Sequence, residues 1–586
     1  MSSKTWQDLV AQKRLHQASC IPPAWVLPNP PPQDVLNVIG VPETCGLLSS
    51  KEIEITNAHV VDILQKLASG VWSAVEVTTA FAKRAVIAHQ LVNCLTEIFI
   101  DRALERAAQL DKHFKETGKV VGPLHGLPIS LKDQINIKGI ESTMGYVSWI
   151  GREVTKNSVL ADILEQAGAV LYVKTNIPQT LMWPETYNHI FGRTRNPHNR
   201  SLTSGGSSGG EGALIALKGS PIGVGSDIGG SIRIPSNFNG LYGLRPSFHR
   251  IPYAGCVNSL EGEDSVVSVL GPMAHSLDGI KAFMKTVAEA KPWLRDPVSV
   301  RKGWREEEYG LADHGGAGAD GKLCFAILWD DEVVKPHPPV IRGLELARDA
   351  LRAAGHKVID WKPYKHAEIF RNVDAIWGAA EKEDYTLAAS PAQEPLISSM
   401  LLSIDDPEGF KAQMALLGTS VAPPVFRERP DGVSAFALWQ IHKERRVLRE
   451  EYLEYWNATV GETGTGRPVD AILSPAAPYT APPHGFNRNA NYTMIWNNLD
   501  YTALIIPTGL TVDPSVDVKV PPHEFHNSAD KANYELYNPE VFKGGPICIQ
   551  LIGRTLEEEG VIAMGEIVDN AIKKKRAGSE KANTKL

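Results

Sequence analysis

The chain has 586 residues, 43% of them hydrophobic, with 60 basic and 67 acidic side chains and a net charge of −7. That apolar content is enough to bury a sizeable core and excludes an intrinsically disordered chain. The charges are spread along the sequence, and no run reaches about 18 apolar residues, so neither nucleic acid nor a membrane is an expected partner.

The N-terminal "MSSKTWQDLVAQKRLHQ" is polar and lacks the apolar core of a secretory signal. Cys20, Cys45, Cys94, Cys256, Cys324 and Cys548 are scattered, without the paired spacing that a disulfide framework or a zinc site needs. Free thiols in a cytoplasmic protein without a metal are expected. After a short helix and a Pro-rich stretch, Val60, Val61, Ile63, Leu64 and Leu67 recur at helical spacing, and Ser69-Gly70 ends the run. A second helix starts at Ser73, with Glu76 placed for a capping box. A third, "DRALERAAQLDKHFKETG", stops at Gly118.

After Gly122 strands begin to alternate with helices. "LPISL" reads as a short buried strand ending at Lys132 and Asp133. "SVLADILEQAGAVLYVKTN" is a helix stopped by Gly168 and then a strand. "LCFAILWDDE", "VIRGLELARDALRAAGHKV" and "VIDW" repeat strand, helix, strand; "VDAILSP", "YTALIIPTG" and "PICIQLIGR" add further strands before a last helix. This is α/β grammar. Residues 1–85 read as a helical region packed on one catalytic domain over 86–575, with 576–586 a mobile charged tail. The linkers expected are 311–321 and the stretch from Asp513 to about Pro539.

"TSGGSSGGEGAL", Thr203 to Leu214, is either a slack linker or a loop in which backbone comes close to something. It continues into an apolar helical run, which favours an ordered loop. A phosphate loop would need a Lys and a Ser/Thr after its last glycine, and Glu211 stands there instead. "GGSSG" also fits a nucleophile elbow at Ser207, but that serine would follow a buried strand, and "RNPHNRSLTS" is polar with a proline.

A second Gly-Gly-Ser turn follows in "PIGVGSDIGGSIRIPS" at Asp227 to Ser231. Successive backbone N–H groups there can form an anion nest, and a serine at its end can attack a carbonyl while they hold the oxyanion. A serine nucleophile needs a base. None of the 17 histidines ties to these loops. Lys132 is the candidate, because a buried lysine can be neutral; read alone, a structural ion pair with Asp133 remains the alternative.

Together "PISLKD", "GGSSGGEGAL" and "PIGVGSDIGGSIRIPS" resemble the amidase signature family. "GPLHGLPISLKD", "VKTNIPQTLM", "YGLRPS" and "QLIGR" extend the likeness to its fungal acetamidase branch over nearly the whole chain. The resemblance implies a mixed sheet of about eleven strands covered by helices on both faces. It implies cofactor-independent hydrolysis of small aliphatic or aryl amides through an acyl-enzyme. Its Ser-cis-Ser-Lys triad maps to Ser231 as nucleophile, Ser207 as the middle serine beside a cis peptide bond, and Lys132 as base. The oxyanion donors map to the backbone N–H groups of Ile228, Gly229, Gly230 and Ser231, with Ser208, Asp227 and Arg233 in support.

Leu181 and Met182 fall where the family lines its acyl pocket, their bulky neighbour Trp183 either lines it as well or belongs to the core, and Tyr479 and Thr480 are candidates for the entrance. Ser236 and Arg245 depart from the commonest residues of the pattern without touching the triad. Family members are often homodimers. The competing readings are an amidotransferase subunit that releases ammonia to a partner and a non-catalytic binding relative.

Overall fold

The computed structural model describes residues 5–316, 321–396 and 432–583. The strands of its main sheet are β1 (Leu95–Ile98), β2 (Pro128–Lys132), β3 (Val170–Thr175), β4 (Ile222–Asp227), β5 (Tyr242–Arg245) and β6 (Val269–Ala274), then β7 (Cys324–Ile327), β8 (Lys357–Asp360), β9 (Ala471–Ser474), β10 (Ala503–Thr511) and β11 (Pro546–Ile552). They form one 11-stranded sheet in the order β1-β3-β2-β4-β6-β5-β10-β11-β9-β7-β8. The sheet is mixed: β2 lies parallel to both β3 and β4, while β4 pairs antiparallel with β6.

The side-chain alternation of the strands accounts for the layers. Leu504, Ile506, Ile549 and Leu551 pack to one side with Val561, Met564 and Val568 of the last helix. Their alternates go to the other side. Ile505 and Cys548 meet Ala476, and Ala503 and Ile552 meet Trp456 and Trp496. Both faces are covered, as the α/β/α expectation requires.

The N-terminal helices belong to the same core. Ile63, Leu67 and Phe81 pack with Ile129 and Leu131 of β2. The Ser73 capping box forms, with Glu76 N–H donating to Ser73 Oγ at 3.1 Å, and Gly118 closes its helix with φ +65°. Residue 85 lies within the helix Ala74–Val92, so no linker separates the helical region from the sheet at that point.

Two segments are more regular than the sequence reading expects. The last helix runs Glu558–Asn583 and passes through the position where a mobile tail was expected to start. The supposed linker after Asp513 contains the helix Ser528–Leu536, capped by Asn527 Oδ1 accepting from Ala529 and Asp530 N–H. In the other linker, Ala312–His314 form a 3₁₀ turn, and residues 317–320 lie outside the described residues. Strand β1, "LTEI", carries no apolar alternation, because its four residues have a central Thr-Glu.

Leu551 is fully buried on β11, an interior strand of this sheet. Leu551→Ala should cost about 2–5 kcal/mol through lost burial and a cavity. Urea unfolding should show a lower midpoint with an unchanged slope.

Candidate active site

Lys132 is the last residue of β2, between two parallel neighbours, and every residue of the strand is buried. Its side chain is fully enclosed. Nζ lies 2.7 Å from Ser207 Oγ and 2.8 Å from Ser226 Oγ. Burial pushes its pKa down to about 7, against the opposing pull of Asp227, Glu211 and Asp133. Lys132 forms no ion pair with any acid among the described residues, so the structural pair with Asp133 is not what holds it. Asp133 instead accepts Met144 N–H at 2.8 Å.

Glu211 is the buried acid that the sequence reading used only to reject a phosphate loop. Its carboxyl lies 2.6 Å from Ser130 Oγ and 3.0 Å from Thr175 Oγ1. Burial, opposed by those hydroxyls and Lys132, pushes it up to about 8.

The glycine-serine stretch is a packed loop. A methyl carbon on Gly206 would sit 2.5 Å from the Glu185 carbonyl oxygen, and one on Gly210 would strike the Asn176 backbone. The Gly206–Ser207 peptide is cis, next to the serine where the resemblance placed it. The helix Gly209–Ala216 follows directly. Ser208 ties this loop to both neighbours. Its Oγ donates to the Ser226 carbonyl and accepts Ser226 N–H, each at 3.2 Å, and its N–H donates to the Ser231 carbonyl at 3.2 Å.

Ser231 therefore sits beside the loop that carries Ser207. Ser231 is 8% exposed, whereas Ser207 is 1% and Lys132 0% exposed. The Ser231 hydroxyl has no hydrogen-bond partner among the described residues, so Lys132 to Ser207 is the one closed link of the three-residue chain.

The turn from Asp227 to Arg233 is braced from several directions. Arg233 meets Asp227 bidentately, Nε to Oδ2 and Nη2 to Oδ1, both at 3.0 Å, and neither side chain reaches solvent. Burial alone would raise the Asp227 pKa. Arg233, Asn497 and Arg245 overcome it and hold the carboxyl well below the usual range. Arg233 Nη1 also donates to the Thr493 carbonyl and Gln550 Oε1, and Thr493 Oγ1 donates to the Gly229 carbonyl at 2.7 Å.

One expected oxyanion donor is diverted. Gly230 N–H points to Asp227 Oδ1 at 2.8 Å. Gly230 itself has a φ of +130°, a conformation that favours glycine. The N–H groups of Ile228, Gly229 and Ser231 have no acceptor among the described residues.

Met182 is half-buried beside Ile228, Leu260, Trp377 and Met494, in an apolar cluster next to the turn. Leu181 is buried elsewhere, with Met144, Tyr146 and Ile177. Trp183 is half-buried. Tyr479 and Thr480 are 0% and 2% exposed, so they belong to the interior and not to an entrance. Among the described residues no three His, Cys, Asp or Glu side chains group to hold a metal ion, and no helix is long and apolar enough to cross a membrane. Ser226, Gln134, Thr493 and Asn497 were not anticipated. Only Ser226, next to Asp227 in "VGSD", carried a sequence signal.

The family model for amidases matches residues 76–562. The chain belongs to the amidase signature family. It is 41% identical over 568 residues to an acetamidase of Aspergillus oryzae, covering 97% of this chain and 99% of the relative. It is also 41% identical to an acetamidase of Emericella nidulans, covering 96% and 98%. Among solved structures a fatty acid amide hydrolase superposes with a TM-score of 0.86 at 34% identity, over 97% of this chain and 95% of the other. This amidase is accordingly an amide hydrolase.

Removing one partner of a fully buried ion pair strands the other charge. Arg233→Ala should therefore lower stability by about 3–5 kcal/mol in urea titration. Asp227→Asn should cost a comparable amount, because it strands the Arg233 charge and turns an amide NH2 towards groups that themselves donate.

Proposed function

We propose that this amidase hydrolyses linear carboxylic amides, small aliphatic or aryl, through an acyl-enzyme on Ser231. The observation that carries this reading is the enclosed Lys132 amine, with a pKa near neutrality and in contact with Ser207. An ordinary lysine, at about 10.4, is charged at neutral pH and has no lone pair to offer. A pKa near the operating pH suits a general base.

Neutral Lys132 takes the Ser207 proton as Ser207 takes the Ser231 proton. The Ser231 oxygen attacks the amide carbonyl carbon, and the carbonyl π pair moves onto oxygen. The N–H groups of Ile228, Gly229 and Ser231 receive that oxyanion. When the C–N bond breaks, the proton returns from Lys132 through Ser207 to the departing nitrogen, because an unprotonated amide anion is a very poor leaving group. Water then repeats the sequence on the ester and frees the acid. No cofactor enters. The gap at the Ser231 hydroxyl closes when substrate orders it, as catalytic hydrogen bonds often tighten only in the loaded site. The Met182, Ile228, Trp377 and Met494 cluster supplies an apolar wall for the acyl or aryl group.

Ser231→Ala should fold normally and lose at least about 10³-fold in kcat, and Lys132→Met should do nearly the same. Wild-type activity in Ser231→Ala would refute the assignment. A fluorophosphonate should label Ser231 in peptide mass spectra; an adduct on Ser207 would make that residue the nucleophile.

The rate should also depend on pH with a definite sign. The neutral amine is the active form, so kcat/KM should rise as pH increases through about 7. Of the three acids facing the amine, Glu211 titrates nearby, at about 8, which should make the limb broader than one ionisation. A rate independent of pH from 5 to 9, on the order of two units either side, would contradict a lysine base.

A further inference from the structure

Lys132 has two close hydroxyl neighbours, and a neutral amine has one lone pair. For Lys132 to act on Ser207, Ser226 must not take that lone pair. What decides this is the direction of the Ser226 hydrogen bond, and the structure fixes that direction from behind.

Gln134 lies two positions past the end of β2 and is fully buried. Its Nε2 is 2.9 Å from the Val257 carbonyl and 2.7 Å from Tyr253 Oη. A carbonyl oxygen only accepts, so the amide nitrogen must face Val257. The amide oxygen then faces Ser226 Oγ, at 2.5 Å. An amide oxygen also only accepts, so Ser226 spends its single hydrogen on Gln134. Towards Lys132, 2.8 Å away, Ser226 has only lone pairs left.

The frame around the pair is fixed. Val257 N–H donates to the Gln134 carbonyl at 3.0 Å, and Ser208 holds both backbone groups of Ser226.

We propose that Gln134 is a positioning residue for the reaction: by holding the Ser226 hydrogen it makes Ser226 an acceptor for a Lys132 N–H and keeps the amine lone pair available to Ser207. The inference rests on the reading of Lys132 as the base. Without the Gln134 oxygen, the Ser226 hydroxyl is free to rotate and donate to the amine. Ser226 would then compete with Ser207 for one lone pair, and the base would be capped.

The test is a double-mutant cycle on purified full-length enzyme with a simple aryl amide, rates being expressed per folded molecule. Gln134→Met removes the acceptor with little change in volume. Its kcat should fall about 10-fold or more with KM within about 2-fold, because the loss falls on proton transfer and not on binding. Ser226→Ala removes the competitor. In the Gln134→Met background it should raise kcat by about 3-fold or more, the reverse of what two independent structural defects do. A double variant no faster than Gln134→Met overturns the proposal.

Neutron diffraction on deuterium-exchanged wild-type crystals tests the same point without a variant. The Ser226 deuteron should lie on the line to Gln134 Oε1, and finding it on the line to Lys132 Nζ overturns the proposal. Lys132→Met separates the two levels. If it is inactive while the double variant shows no recovery, the positioning role alone fails. If it retains the wild-type rate, the lysine reading beneath it fails as well.

Discussion

Enclosing an ammonium group costs free energy that nearby carboxylates can return, and the site depends on that balance tipping against the charge. Lys132 ends a strand with parallel partners on both sides in a sheet covered on both faces, so water cannot reach it. Three acids are close enough to pull the other way. Asp227 is already paired with Arg233, and Glu211 is itself pushed towards its neutral form by burial. Neither offers Lys132 the contact ion pair that would keep it charged. The hydroxyls of Ser207 and Ser226 occupy those places instead.

The second requirement is a backbone that does not relax. Donors aimed at a developing oxyanion are effective when the surroundings hold them in place beforehand. The Asp227–Arg233 turn, the proposed oxyanion site, is held by partners far along the chain: Thr493 and Asn497 on the helix Asn491–Leu499, and Gln550 on β11. Asp227 accepts from Gly230 and Ile232 N–H as well, so the carboxylate sits at the centre of the turn and sets its shape. The same contact takes Gly230 out of the set of free donors. A partly satisfied polar network of this kind would be costly in a dry interior, and this one is closed on nearly every side.

Much of this was legible in the sequence. A lysine at the end of "LPISL" has no solvent to snorkel to, and that local oddity pointed to a buried amine. The second Gly-Gly-Ser turn marked a loop able to hold an anion, and Ser208 ties the first turn to it. The α/β alternation showed because apolar strands and capped helices each carry their own periodicity. What was hidden depends on contacts between distant segments. Nothing local marks Thr493, Asn497 or Gln134, since their roles exist only once the helix Asn491–Leu499 and the loop at Val257 have docked. The diversion of Gly230 N–H depends on the rotamer of Asp227, which no motif encodes. Helix Ser528–Leu536 was missed because a polar, Pro-flanked surface segment looks like a linker until its Asn527 cap is seen.

The most direct test of the account is the titration of Lys132 itself. Lysine labelled with ¹³C and ¹⁵N at the ε position, compared between the wild-type protein and Lys132→Met, isolates one resonance by NMR. The account predicts a titration midpoint at about 7. A resonance that stays ammonium-like up to about pH 10, the range of a solvated lysine, would contradict it.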